Sequence, residues 1–243
     1  DILARTRPEV AAGGYARDDS SVAYYQRINA LLEPSMTVLD LGAGRGTQLL
    51  GDDDFRRGLM VFQHKVRQVI GVDVDRAIDE HPFLDERHLI TADGTYPLAD
   101  ASVDVVVADW VLEHVAHPSI TAGEIDRVLK PGGWFCARTP NRWGYVAVAA
   151  RLVPNSLHVA VLKKAWPERQ ETDVFPTVYA FNTLAVVRRL FPEPRWAHHS
   201  YVYNPTPKYH GNRRWLFALV GGYQAVVPTF LGTDLHVFVC KRR

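Results

Sequence analysis

Val38-Leu-Asp-Leu-Gly-Ala-Gly-Arg-Gly-Thr47 decides how the rest of this 243-residue chain is read. An apolar run from Met36 to Leu41 carries one acidic residue, Asp40, and breaks into glycines at alternate positions, Gly42, Gly44 and Gly46. The pattern predicts a buried parallel strand running into a tight glycine turn and then a helix. Glycine suits such a turn because it tolerates positive φ and has no Cβ to hold a ligand off the backbone. The turn then offers backbone N–H and C=O groups at the carboxyl end of a central strand, where open α/β sheets bind ligands. Alone, the stretch also fits a plain packing turn.

The same design recurs downstream. Gln68 to Val72 runs into Asp73, His88 to Thr91 into Ala92-Asp93-Gly94, and Val103 to Ala108 into Asp109. Four successive strands thus end close to an acidic residue, which reads as a site rather than as four separate caps. A carboxylate at the end of the second strand can accept both hydrogen bonds of a ribose diol. Asp93 can accept from an exocyclic amine such as that of adenine, with the Gly94 backbone beside it. No Gly-Lys-Ser/Thr follows the glycine turn, so the phosphate cradle of a Walker loop is missing. The dinucleotide fingerprint fails as well, because Thr47 stands where its third glycine belongs. An adenosine-containing, cationic ligand without a pyrophosphate fits best.

The ordered series VLDLGAGRG (38–46), VIGVDVD (69–75), TADGTYPLADASVDVVVADWVLEHV (91–115) and RVLKPGGWF (127–135) resembles the motif set of class I S-adenosylmethionine-dependent methyltransferases. The resemblance covers roughly residues 36–140. It implies an α/β, Rossmann-like, doubly wound sheet of seven strands whose last strand is antiparallel, Leu235 to Cys240 being the candidate. It also implies S-adenosylmethionine as cofactor. Gly42, Ala43, Gly44 and Gly46 would cradle its methionine end, with Asp40 supporting the loop. Asp73, with Val74, would hold the ribose side, Asp93 and Gly94 the adenine edge, and Asp109 with Trp110 the methionine portion and transferred methyl. Leu129 to Gly133 would be the turn into a structural fifth strand, Trp134 to Thr139.

Outside that core, Asp18-Asp19-Ser20-Ser21 before Val22, Tyr25, Ile28 and Leu32 predicts a capped amphipathic helix. Gly13-Gly14-Tyr15 ahead of it reads either as a segment folding over the ligand or as a solvated arm. In the C-terminal half, helical spacing at Val146, Ala149 and Leu152 predicts an insertion from Asn141 to Lys164. A helix is expected over Thr183 to Leu190 and a strand over Arg195 to Tyr203. The run Asp173 to Thr183 resembles a segment of methyltransferases from polysaccharide and secondary-metabolite clusters. Trp215 to Gly232, apolar apart from Gln224 and preceded by Arg213-Arg214, reads as a core helix inserted before the last strand. Resting on a membrane surface is the competing reading. The implied organisation is a cap region (1–35), a cofactor core (36–140), a helical acceptor-side insertion (141–194) and the last two strands with an inserted helix (195–243).

Charge separates by halves. Residues 1–120 carry 11 Lys+Arg against 20 Asp+Glu, net −9, and residues 121–243 carry 17 against 7, net +10. The basic half suits an anionic or glycan-linked small-molecule acceptor, with Lys163, Lys164, Arg188, Arg189, Lys208, Arg213 and Arg214 as contributors. No basic run interleaved with aromatics suggests nucleic acid. The two cysteines, Cys136 and Cys240, lie in apolar strand-like runs and read as reduced core residues. The N-terminal residues lack the order of a signal peptide and no apolar run is long enough to span a bilayer, so a cytoplasmic protein is expected. No oligomeric state can be read from the sequence.

Methyl transfer from a sulfonium asks the protein to position the acceptor and exclude water. A hydroxyl acceptor also needs its proton removed, whereas an amine needs only to arrive uncharged. His114, five residues after Asp109, is the candidate base; capping of the following loop is its alternative role. His199, Tyr203, Tyr209 and His210 form a second polar-aromatic group expected to line the acceptor pocket. A metal reading of His198, His199 and His210 lacks a carboxylate at ligand spacing. O-methylation of a sugar or secondary metabolite is the leading function. N-methylation of a small amine and a non-catalytic cofactor-binding scaffold are the alternatives.

Overall fold

Alternation along the apolar strands explains the layering. In β1 (Thr37–Leu41), Val38 joins one core while Leu39 and Leu41 join the other. The same division separates Val69 from Ile70 and Val72 in β2 (Gln68–Asp73), and Val105 and Val107 from Val106 and Ala108 in β4 (Val103–Asp109). Strands buried on both faces read as continuous hydrophobic runs, as these do. The Val38 face is covered by α2 (Ser20–Leu31), which follows the short α1 (Ile2–Thr6), through Tyr24, Tyr25 and Ile28. The Leu39 face is covered by α4 (Pro118–Val128) and α6 (Leu184–Leu190). Asp19 caps α2 by accepting from the Val22 amide at 3.0 Å, as its sequence position suggests.

The computed structural model describes residues 2–51, 53–152, 176–207 and 213–243. Its sheet order is β3 (Glu86–Leu89), β2, β1, β4, β5 (Leu129–Pro140), β8 (Asp234–Lys241) and β6 (Trp196–His198), with β7 (Tyr201–Tyr203) also paired to β8. β3, β2, β1, β4 and β5 are parallel neighbours, and β8 runs antiparallel to β5. This is the Rossmann-like α/β architecture with an antiparallel strand between β5 and β6. The chain reverses direction across the sheet between β1 and β4, and such a switch point opens a crevice at the strand ends. Cys136 is buried in β5 and Cys240 is half-buried in β8, and both are free thiols. Among the described residues no helix is long and apolar enough to cross a membrane.

Four local expectations change. The glycine turn leads first to a single 3-10 turn, Thr47–Leu49, and α3 (Asp54–Met60) begins only where Asp53 can cap it by accepting from the Arg56 amide. β3 stops at Leu89, because the Thr91 amide bonds to the Thr95 carbonyl and closes a turn around Asp93. The strand expected over Arg195 to Tyr203 is two strands, β6 (Trp196–His198) and β7 (Tyr201–Tyr203). His199 and Ser200 both bond the Phe238 backbone and kink the chain there. Finally, α7 (Arg214–Val226) is not a core helix: of its residues only Phe217 is buried. The insertion expected from Asn141 to Lys164 begins as α5 (Tyr145–Leu152), and residues 153–164 of that expectation lie outside the described residues.

Candidate cofactor and acceptor site

The glycine loop is fastened to the second strand from both backbone and side chain. The Gly42 amide donates to the Val72 carbonyl at 2.7 Å, and the Gly44 amide donates to Asp73 Oδ2 at 2.8 Å. The other Asp73 oxygen accepts from the Asp75 amide at 2.9 Å. A carboxylate with its second lone pairs still directed outward can brace the loop and hold a diol together. All three loop glycines have positive φ, but for different reasons. A Cβ at Gly46 would stand 2.5 Å from the His81 ring, whereas a Cβ at Gly44 would meet no protein atom within 4 Å. Gly46 is therefore required by packing, and Gly44 by backbone conformation at a face left open to a ligand.

Asp40 lies two residues before the loop. Burial, followed by the Asp109 and Asp73 carboxylates, pushes its pKa up to about 7. A buried carboxylate raised in this way by two carboxylates nearby favours a cation beside it. That chemistry and the open face at Gly44 fit a sulfonium-bearing adenosyl ligand. Val74, directly after Asp73, leaves 66% of its surface exposed, apolar area suited to the flat face of a base.

Asp109 is held differently from its expected role. Its two oxygens accept from Arg138 Nε and Nη2, each at 2.7 Å, and Oδ2 also accepts from the Tyr25 hydroxyl at 3.1 Å. Arg138 is buried, bonds Ser21 Oγ at 2.6 Å, and lies over the rings of Tyr24, Tyr25 and Trp110. Asp109 thus enters the site as half of a neutralised pair, and Trp110 as a ring fixed by the guanidinium. Trp110 takes φ +58 while its amide bonds the Arg138 carbonyl, a conformation costly for a bulky residue and therefore held by its surroundings. Arg138 was legible as the one charged residue in Trp134 to Thr139: a cation inside an apolar strand needs an anion.

Asp93 stands apart from the other acids. It is exposed on the loop after β3, where Thr91 Oγ1, the Thr95 amide and Thr95 Oγ1 all donate to it. Those hydrogen bonds hold its pKa below the usual carboxylate value. Gly94 beside it has φ +89.

On the acceptor side the chain folds back over the end of β4. The Glu113 carbonyl accepts from the Val178 and Tyr179 amides at 2.7 and 3.1 Å, and His114 Nδ1 donates to the Pro176 carbonyl at 3.0 Å. The carbonyl can only accept, so the neutral ring carries its proton on Nδ1 and Nε2 is the basic nitrogen. Glu113, next to His114, is buried and accepts from Thr139 Oγ1 at 2.8 Å. Burial pushes its pKa up to about 7. Asn182, also buried, donates to Thr139 Oγ1 and to the Pro140 carbonyl, which ties the returning segment to the end of β5.

Tyr15 stacks on Phe55 of α3, centroids 4.9 Å apart. His199 is exposed against Trp134. Trp134 lies four residues before Arg138 along β5, roughly 13 Å toward the opposite end of the strand. The structure does not bring His199 to the rim, because the kink between β6 and β7 fixes it where its amide bonds Phe238. Tyr203 pairs with Asp234 at the rim end of β8, and its hydroxyl is raised to about 12 by burial. Tyr209 and His210 lie outside the described residues.

Comparison with known proteins agrees with this geometry. Residues 39–137 match the methyltransferase domain family. A probable S-adenosylmethionine-dependent methyltransferase of Mycolicibacterium smegmatis is 35% identical over 143 residues, 57% of this chain and 50% of the relative. One of the same description from Mycobacterium tuberculosis is 32% identical over 146 residues, 57% of this chain and 47% of the relative. The chain thus spans about half the length of the curated relatives it matches. Among solved structures, one from the complex between the Haloferax volcanii Trm112 methyltransferase activator and its methyltransferase superposes with a TM-score of 0.55 at 19% identity, covering 92% of this chain and 91% of that one. That likeness is one of fold. With the motif series intact from Val38 to Phe135 and the strand order to match, residues 39–137 form a class I S-adenosylmethionine-dependent methyltransferase domain.

Proposed function

We propose that the chain transfers a methyl group from S-adenosylmethionine to a hydroxyl of a small acceptor, of the sugar or secondary-metabolite kind. The observation that supports this reading best is His114 on the turn after Asp109-Trp110, its Nδ1 proton tied to the Pro176 carbonyl at 3.0 Å. When bound, the cofactor supplies a methyl group already activated on sulfur. Asp73 and the Gly42–Gly46 loop hold the donor's sugar and amino-acid ends, and Asp40 gives the cation an anionic neighbour. His114 Nε2 would take the proton of the acceptor hydroxyl, leaving that oxygen to receive the methyl group the bound cofactor would supply. The Pro176–Asn182 segment, fastened to Glu113 and Thr139, covers the acceptor side and limits water there.

The test is mass spectrometry of candidate acceptors incubated with S-adenosylmethionine, reading a gain of one methyl. With the acceptor found, H114A is expected to lower kcat roughly 10²–10⁴-fold, the usual contribution of a positioned base. Turnover unchanged in H114A across pH would remove the base and favour an amine acceptor, which needs only to arrive uncharged.

A further inference from the structure

α7 is built inside out. Beyond Arg214 at its first position, its one strongly polar side chain is Gln224, which faces the protein, where Nε2 donates to the Pro205 carbonyl at 3.1 Å and Thr233 Oγ1 at 3.4 Å. Phe217 is its buried anchor, with the Arg7 guanidinium 5.9 Å over its ring. The opposite face is apolar and bare: Trp215 is 63% exposed, Leu219 62% and Val226 81%, followed by Phe230 at 64% just beyond the helix. Spacings of four and seven residues put Trp215, Leu219 and Val226 on one face of the helix, and Phe230 follows four residues later in the short turn Thr229–Leu231. Isolated exposed apolar residues are ordinary; a contiguous stripe of this size marks a contact surface.

Two further observations indicate what the stripe meets. The first is its charge and aromatic border. Arg213 and Arg214 are exposed at the start of the helix. Tyr223 meets Tyr145 of α5 edge-on at 5.8 Å. Just before α5, Trp143 is half exposed, with the Arg142 and Arg151 guanidinium groups 6.0 and 5.9 Å from its ring. Exposed tryptophans and tyrosine bordered by arginines match the boundary between acyl chains and anionic headgroups. The second is position. Asn141 Nδ2 donates to the Phe230 and Gly232 carbonyls at 2.8 and 2.7 Å, fastening the end of the stripe to the carboxyl end of β5. That is the rim on which Asp109, Arg138 and Glu113 stand.

We infer that the α7 face docks on an anionic lipid bilayer, lying in its surface with the acceptor-side rim turned toward the headgroups. The helix has 13 residues, about 20 Å at 1.5 Å per residue, too short to span a hydrocarbon core but long enough to lie in its interface. The arrangement suits an acceptor whose reactive hydroxyl is carried on a lipid or presented at the bilayer surface. That consequence rests on the methyltransferase reading above, whereas the docking itself does not.

The test is flotation of the whole chain with vesicles of phosphatidylcholine alone or mixed with phosphatidylglycerol, without cofactor, together with the tryptophan emission spectrum. Binding is expected to the mixed vesicles, with a blue shift, and to weaken as salt is raised. The double variant W215S/F230S is expected to lose binding while keeping its circular dichroism and melting temperature, since neither side chain is buried. The double variant R213E/R214E is expected to bind roughly thirtyfold more weakly or worse, each arginine near an anionic surface contributing about fivefold. The inference is overturned by a native chain that ignores both vesicle types at low salt, or by W215S/F230S binding as well as the native chain. It is also overturned by a native dimer that W215S/F230S makes monomeric in the absence of vesicle binding, which would assign the face to a second copy. Calorimetric titration with S-adenosylmethionine in parallel separates failure of docking from failure of the cofactor assignment.

Discussion

Arg138 and Asp109 sit opposite each other on adjacent parallel strands and join through two hydrogen bonds of 2.7 Å, with Arg138 buried. The pair places one fixed, neutral unit between the cofactor loop and the acceptor turn, and Tyr25, Ser21 and Trp110 are all positioned by it. Removing the cation alone would leave a partly buried carboxylate with no counter-charge. R138A is therefore expected to destabilise the fold by about 3–5 kcal/mol in urea unfolding. R138K, which keeps the charge but loses the fork, is expected to cost less. Equal, small effects from both would show that the pair does not organise this rim.

Gly44 and Gly46 provide a contrast. Both have positive φ, so an added Cβ costs about 1–2 kcal/mol of backbone strain at either. Only at position 46 does it also meet the His81 ring. G46A is expected to lower the melting temperature more than G44A. G44A is expected to lose more affinity for S-adenosylmethionine by calorimetry, because its methyl group enters the ligand's space.

Asp40 is expected to make cofactor affinity depend on pH. Its carboxyl is held near 7 by burial and by Asp109 and Asp73, and a bound cation favours the ionised form, so binding releases a proton. Affinity for S-adenosylmethionine is expected to rise as pH passes upward through about 7 and then level off. D40N is expected to flatten that rise. A native profile without slope in this window would remove Asp40 from the cofactor site.

Glu113 affects stability in the opposite sense. Its ordinary value is 4.5 and burial raises it to about 7 in the fold. Between those values the unfolded chain has lost the proton and the folded chain retains it, so stability falls as pH rises from about 4.5 to about 7 and is flat above. E113Q keeps an acceptor for Thr139 and cannot ionise. It is expected to gain on the native chain across that window, by up to about 3 kcal/mol at pH 8, measured by denaturant unfolding at several pH values.

Much of this was legible before the fold was known. Two-sided apolar runs closed by Asp40, Asp73 and Asp109 named the central strands and their order of use, because burial on both faces and a polar end leave a local mark. The antiparallel β8 was legible from the family resemblance. The partnership of Arg138 with Asp109 was not, since a separation of 29 residues carries no local periodicity and only the unexplained charge in an apolar strand hinted at it. Asp93 fits the acidic pattern, yet Thr91 and Thr95 draw its carboxylate into a local turn. The α7 stripe misled for a plain reason. Apolar spacing shows that a helix has a face to cover, not whether the protein or something else covers it.

The most direct test of the central claim is calorimetric titration of S-adenosylmethionine into the native chain and into D73A, with folding of both checked by circular dichroism. Asp73 braces the glycine loop through Gly44 and is proposed to hold the ligand's ribose, so one-to-one binding is expected for the native chain and at least a tenfold loss for a folded D73A. A folded D73A that binds as tightly as the native chain, or a native chain that binds no S-adenosylmethionine, would contradict the account.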